Sequence, residues 1–134
     1  MVETALLCLA LNIYWEARGE PIEGQKAVAA VTMNRARHDP AKVCDEVFRP
    51  WQFSWANPLT TVDQATRVSR ASRFTPVDGV AWTRAKRVAR RALEGKMRNP
   101  VGRATHFHAV YVSPTWAPRM RMITRIGGHI FYEA

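Results

Sequence analysis

The residue best placed in this chain to hand over a proton is Glu16. It lies near the end of the run Leu6 to Glu20, Leu-Leu-Cys-Leu-Ala-Leu-Asn-Ile-Tyr-Trp-Glu-Ala-Arg-Gly-Glu. A glutamate with its ordinary pKa of about 4.3 is roughly 0.2% protonated at pH 7 and makes a poor general acid. Partial burial that lifts the pKa to about 6 raises that fraction to roughly 10%, at a cost on the order of 2 kcal/mol. Leu6, Leu9, Ala10, Ile13 and Ala17 recur at helical spacing and form an apolar stripe. Glu16 follows Ile13 by three positions and Leu9 by seven, so its carboxyl is expected at the border between packed side chains and water. The competing reading is a boundary residue paired with Arg18 or another of the 20 basic side chains.

Glu20 is the other carboxylate within reach. On an unbroken helix the two would lie about 6 Å apart along the axis, near the roughly 5 to 5.5 Å between the carboxyls of retaining glycosidases. Gly19 and Pro21 interrupt that helix, and a residue before proline is driven out of helical conformation. Glu20 is therefore expected to cap a second helix, Pro21 to about Arg37, or to pair with an arginine; a second catalytic carboxylate is the minority reading. In that second helix Ala27, Val28 and Val31 share a face, and Glu23 suits the first turn.

The remaining chemistry is polar and aromatic. His38-Asp39-Pro40 signals a turn, with a short helix expected over Ala41–Val47. Phe48, Trp51, Phe53 and Trp55 then alternate with polar Gln52 and Ser54, the spacing of a short strand. Thr61 to Arg98 reads as helical and basic. Between Arg84 and Leu93, Ala85, Val88, Ala89, Ala92 and Leu93 occupy one arc, and Arg84, Lys86, Arg87, Arg90 and Arg91 the other. Ala104 to Val112 is rich in β-formers and sets His106 and His108 on one strand face. Together with His129 and Glu16 they offer a set that zinc could use, but no HExxH or CxxC spacing supports a metal. Met122 to Tyr132 reads as two short strands turned at Gly127-Gly128. Helices first and strands last predict an α+β domain.

With 134 residues and 47% hydrophobic content, residues 1–134 are expected to form a single domain with one core. Met1-Val2-Glu3-Thr4 lacks the positive charge of a signal segment, and the apolar run from Ala5 to Leu11 is too short to span a bilayer. Cys8 and Cys44 are read as buried free thiols, with pairing left open for an oxidising compartment. A formal charge of +9 favours encounter with polyanions in a salt-sensitive way.

Glu16-Ala-Arg-Gly-Glu20-Pro21, then Glu23-Gly24-Gln25 and Ala27 to Val31 leading into Asn34-Arg35, resembles the cell wall hydrolase family of spore-cortex-lytic enzymes, the SleB/CwlJ type. Val43-Cys44 with Gln52-Phe53-Ser54-Trp55 resembles its second block. Ala104 to Ala109 with Pro114 and Trp116 resembles the third, and Ile126-Gly127 with His129 to Tyr132 the last. Four blocks in order cover nearly the whole chain. His106 and His108 depart from the Tyr-Phe-Asn-like residues of the family's third block.

The resemblance implies a lysozyme-like, mostly helical domain with a small C-terminal hairpin or sheet. It also implies cleavage of the peptidoglycan β-1,4 bond between N-acetylmuramic acid and N-acetylglucosamine, without a cofactor or metal. Glu16 matches the family's indispensable glutamate; Gln52, Phe53, Ser54, Trp55, His106, His108 and Trp116 fall where substrate is lined. Both outcomes stay open, a lytic transglycosylase that needs one carboxyl and a muramidase that needs a positioned water, with the first favoured because no second acid stands out. Peptidoglycan is the expected partner, with anionic outer-membrane or wall polymers on the basic helix 84–98, no nucleic acid, and a monomeric state. A small basic chain with no export signal resembles a phage endolysin, made in the host cytoplasm and released through a holin to the periplasmic wall. Two alternatives remain: a zinc-dependent amidase built on His106, His108 and His129, and a non-catalytic basic module that binds polyanions.

Overall fold

In the computed structural model, which describes residues 2–49, 55, 73, 76 and 79–134, the other helices pack around the N-terminal helix α1 (Val2–Ala17). Every side chain from Cys8 to Tyr14 is buried. The single apolar stripe expected from spacing is thus an enclosed segment, because α2 (Ile22–Arg35), α3 (Val43–Val47) and α4 (Gly79–Leu93) all pack on α1. Asn12 brings an amide into that stretch, and both ends of it are used. Its Nδ2 donates to Thr32 Oγ1 at 3.1 Å, and its Oδ1 accepts from Trp55 Nε1 at 3.3 Å.

Cys8 and Cys44 form a disulfide, with Cα atoms 5.4 Å apart, that ties α1 to α3. Of the two readings left open by the sequence, free thiols or a pair, it is the pair that forms; packing α3 across α1 brings together two residues 36 positions apart. Helix α2 stops at Arg35 rather than Arg37, since Arg37 and His38 take left-handed φ values of 54° and 60° and His38 N closes onto Met33 O at 2.8 Å. The helix expected over residues 41–47 is a tight turn, Pro40–Lys42, leading into α3, with the Asp39 carboxylate accepting from Ala41 N at 3.0 Å. Phe48 follows α3 as a fully buried core residue and does not begin a strand. Trp51, Gln52, Phe53 and Ser54 lie outside the described residues.

Helix α4 separates its arcs as expected, with Ala85, Val88, Ala89 and Ala92 buried and Arg84, Arg87, Arg90 and Arg91 exposed. It ends at Leu93, so the basic helix is shorter than 84–98, and Lys96 and Arg98 lie beyond it. The sheet is antiparallel in the order β1-β3-β2, from β1 (His106–Ala109), β2 (Arg121–Ile126) and β3 (His129–Glu133). Gly127, at φ 56°, turns β2 into β3. The strand expected over Ala104–Val112 ends at Ala109, because its partner β3 runs out there and one last bond, Val110 N to Gly128 O at 2.9 Å, reaches the turn. Phe131 packs from the sheet onto Ala17, Ala27, Val28 and Val31. The protein is α+β, mostly helical with a small C-terminal sheet. Among the described residues no helix is long and apolar enough to cross a membrane.

Candidate active site

Glu16 sits in the last turn of α1, partly buried. Desolvation pushes its carboxyl up from 4.5 to about 7. Among the described residues nothing hydrogen-bonds or ion-pairs with it. Arg18, the nearest cation along the chain, is held elsewhere: its Nη1 donates to Tyr14 Oη at 2.8 Å, and its guanidinium lies 5.2 Å and 5.5 Å from the Tyr14 and Trp15 rings. One turn before Glu16 stands Asn12, which fixes Trp55 by its indole N–H. Trp55 is half-buried, edge-on against Phe48.

Glu20 has a different fate. Its Oε1 accepts from Gly128 N at 2.7 Å and lies 3.8 Å from His129 Nδ1. A Cβ at Gly127 would collide with the same carboxylate, and one at Gly128 would lie 3.1 Å from Oε2. Among the described residues Glu20 thus neither caps α2, whose N-cap is Pro21 without a side-chain bond, nor pairs with an arginine. It clasps the β2–β3 turn instead. His129 is held below the usual histidine range, chiefly by burial and secondarily by His108, with the Glu20 carboxylate opposing.

The three histidines of the zinc alternative do not converge. Antiparallel pairing sets His106 opposite Tyr132, His108 opposite Ile130 and Ala109 opposite His129. Since alternate residues face opposite ways, His106 and His108 share the outer face while His129 turns inward beside Phe107 and Phe131. Among the described residues no three His, Cys, Asp or Glu gather as metal ligands.

On the outer face Trp116 lies 5.3 Å from His106, 5.6 Å from His108 and 5.4 Å from Tyr132, ring centre to ring centre. His108 Nδ1 is 2.7 Å from Ala109 O, and a carbonyl can only accept, so Nδ1 carries the proton and Nε2 accepts from Tyr132 Oη at 2.8 Å. His106 is depressed by burial and by Arg35. Asn34 and Arg35 hold the approach to β1. Asn34 Nδ2 donates to Gly102 O and Ala104 O at 2.9 Å and 2.8 Å, and Arg35 Nη1 donates to Thr105 O at 3.1 Å while its Nε bonds Glu46.

Asn12 and Tyr132 were not singled out for these roles from the sequence. A signal for Asn12 existed, as an amide side chain four positions before Glu16 in an apolar helix; Tyr132 had none, because its partner depends on strand register.

Residues 19–132 match the family model described as Cell Wall Hydrolase. The chain belongs to that family. Glu16 itself lies three residues ahead of the matched stretch. Among curated proteins, the chain is 34% identical over 126 residues to the spore cortex-lytic enzyme of Halalkalibacterium halodurans, covering 92% of this chain and 33% of that protein. It is 31% identical over 128 residues to that of Bacillus subtilis, covering 93% and 36%. The chain thus spans about a third of the length of these relatives. Among solved structures it resembles the catalytic domain of the germination-specific lytic transglycosylase SleB from Bacillus anthracis. The TM-score is 0.70 at 28% identity, over 98% of this chain and 95% of that one. The fold is accordingly the lysozyme-like one of the SleB type.

Proposed function

We propose that this chain, as one catalytic domain, cleaves peptidoglycan glycan strands at the β-1,4 bond between N-acetylmuramic acid and N-acetylglucosamine, with Glu16 as general acid and then base. The observation that carries this reading is a half-buried carboxyl raised to about 7 with no partner among the described residues. Near neutral pH such a group is present in both forms, as acid–base catalysis needs. The protonated carboxyl gives its hydrogen to the bridging oxygen as the C1–O bond breaks and positive charge develops on the muramic ring. The resulting carboxylate takes the proton of the muramic 6-hydroxyl, whose oxygen closes on C1 to give a 1,6-anhydro end, and Glu16 is again protonated.

The transglycosylase route is favoured over hydrolysis because it needs one carboxyl, and Glu20 is engaged with Gly128. The similar B. anthracis protein is a lytic transglycosylase, which agrees with that route. Gln52, Phe53, Ser54, Trp55, His106, His108 and Trp116 are proposed to line the substrate. Mass spectrometry of digested sacculi tests the whole reading. Anhydro-muramic ends are expected; reducing muramic ends would indicate a muramidase, and freed peptide stems an amidase.

A further inference from the structure

Beyond Ala109 the chain exposes three apolar residues in a row, Val110 at 36%, Tyr111 at 87% and Val112 at 42%. Folded chains avoid such a run unless it meets something. The segment is well held. Val110 N donates to Gly128 O at 2.9 Å and Val112 N to Ala109 O at 3.1 Å, which leaves Tyr111 at the tip of a tight turn. Gly128 is also the residue whose N–H Glu20 accepts at 2.7 Å, so two hydrogen bonds connect this tip to the bend that follows Glu16.

The loop from Val110 to Trp116 reads Val-Tyr-Val-Ser-Pro-Thr-Trp, without a charge and with hydroxyls on Tyr111, Ser113 and Thr115. A segment built to sit on an anionic membrane would carry lysine or arginine beside its apolar residues. An exposed neutral aromatic with its own hydroxyl, and with Ser113 and Thr115 two and four residues on, suits a sugar instead, with the ring face against pyranose C–H groups and the hydroxyls bonding its substituents.

We propose that Tyr111 is a glycan-contacting residue, a platform for a sugar of the strand that Glu16 cleaves, at a subsite away from the scissile bond. The proposal rests on the cleavage reading above. A contact made equally in the ground and transition states raises KM and spares kcat when it is lost, and that is the signature expected of a platform away from the scissile bond.

The test compares Tyr111→Ala and Tyr111→Phe on purified sacculi, by steady-state turnover and, in a Glu16→Gln background, by co-sedimentation. Tyr111→Ala is expected to raise KM about tenfold, to change kcat by less than about twofold and to weaken co-sedimentation to match, while Tyr111→Phe keeps most of the affinity. An unchanged KM for Tyr111→Ala would overturn the proposal, as would a fall in kcat alone. So would loss of binding to phosphatidylglycerol vesicles with sacculus binding intact. Wild-type digests free of glycan products would sink the cleavage reading, whereas Tyr111-dependent co-sedimentation would still support the contact.

Discussion

In the last turn of α1, Glu16 has lost part of its hydration with no partner among the described residues supplied in return, and burial raises its carboxyl. Four residues later, past the break at Gly19-Glu20-Pro21, Glu20 has exchanged water for the amide of Gly128 at 2.7 Å and the edge of the His129 ring. The two side chains are chemically identical. One is left able to take up and release a proton near neutral pH, and the other is a structural clasp between helix and sheet. Proximity in sequence therefore does not give two carboxyls the same surroundings; what replaces the lost water differs between them.

The variant that breaks this contrast most directly is Glu16→Gln. Glycan cleavage should fall by roughly 10²- to 10⁴-fold with the fold preserved, read as soluble muropeptide release; activity near wild type would remove Glu16 from the mechanism. In the wild type, kcat/KM should hold below about pH 7 and decline above it as the acid form is lost. The same group makes a stability prediction. A carboxyl raised from 4.5 to about 7 binds more protons folded than unfolded between those pH values, so its stabilising contribution is complete below 4.5 and lost as pH rises through 7. The loss amounts to about 3 kcal/mol. Urea melts at pH 4 and pH 8 should show Glu16→Gln gaining on the wild type only at the higher pH.

Next in size is the disulfide behind α1. Replacing both Cys8 and Cys44 by alanine should cost about 3 to 4 kcal/mol, seen as a lower Tm, since the bond closes a loop between residues 36 apart. On the other side of the comparison, Glu20→Ala should cost about 2 kcal/mol, and Glu20→Gln less because an amide oxygen can still accept from Gly128. Both should retain far more glycan cleavage than Glu16→Gln; equal inactivity would mean that Glu20 shares the chemistry. The smallest effect, about 1 to 2 kcal/mol, is expected for Gly127→Ala, which puts a side chain at φ 56° and against the Glu20 carboxylate. Chemical denaturation of the two Glu20 variants beside Gly127→Ala would show whether clasp and turn act as one unit.

Much of the fold was legible from local pattern. The helix of α1, the two arcs of α4 and the hairpin at Gly127-Gly128 follow from helical and strand periods and from glycine's freedom at positive φ. Glu16 stood out for the same reason. Other features were not legible. The strand was expected to run to Val112, yet it stops where β3 stops, because a strand needs a partner and no propensity of Val110 or Val112 supplies one. Residue type grouped His129 with His106 and His108, but register assigns it to the opposite face. The Glu20 contact spans 108 positions, beyond the reach of any local signal.

Spacing along the chain was enough to say which side chains share a face in α4 and in β1, since that depends on the 3.6- and two-residue repeats of the backbone itself. Tertiary structure alone decided that Glu16 is desolvated, that His129 faces away from His106 and His108, and that Cys8 and Cys44 join. Each of those outcomes depends on water removed, or partners brought up, by residues remote in the chain.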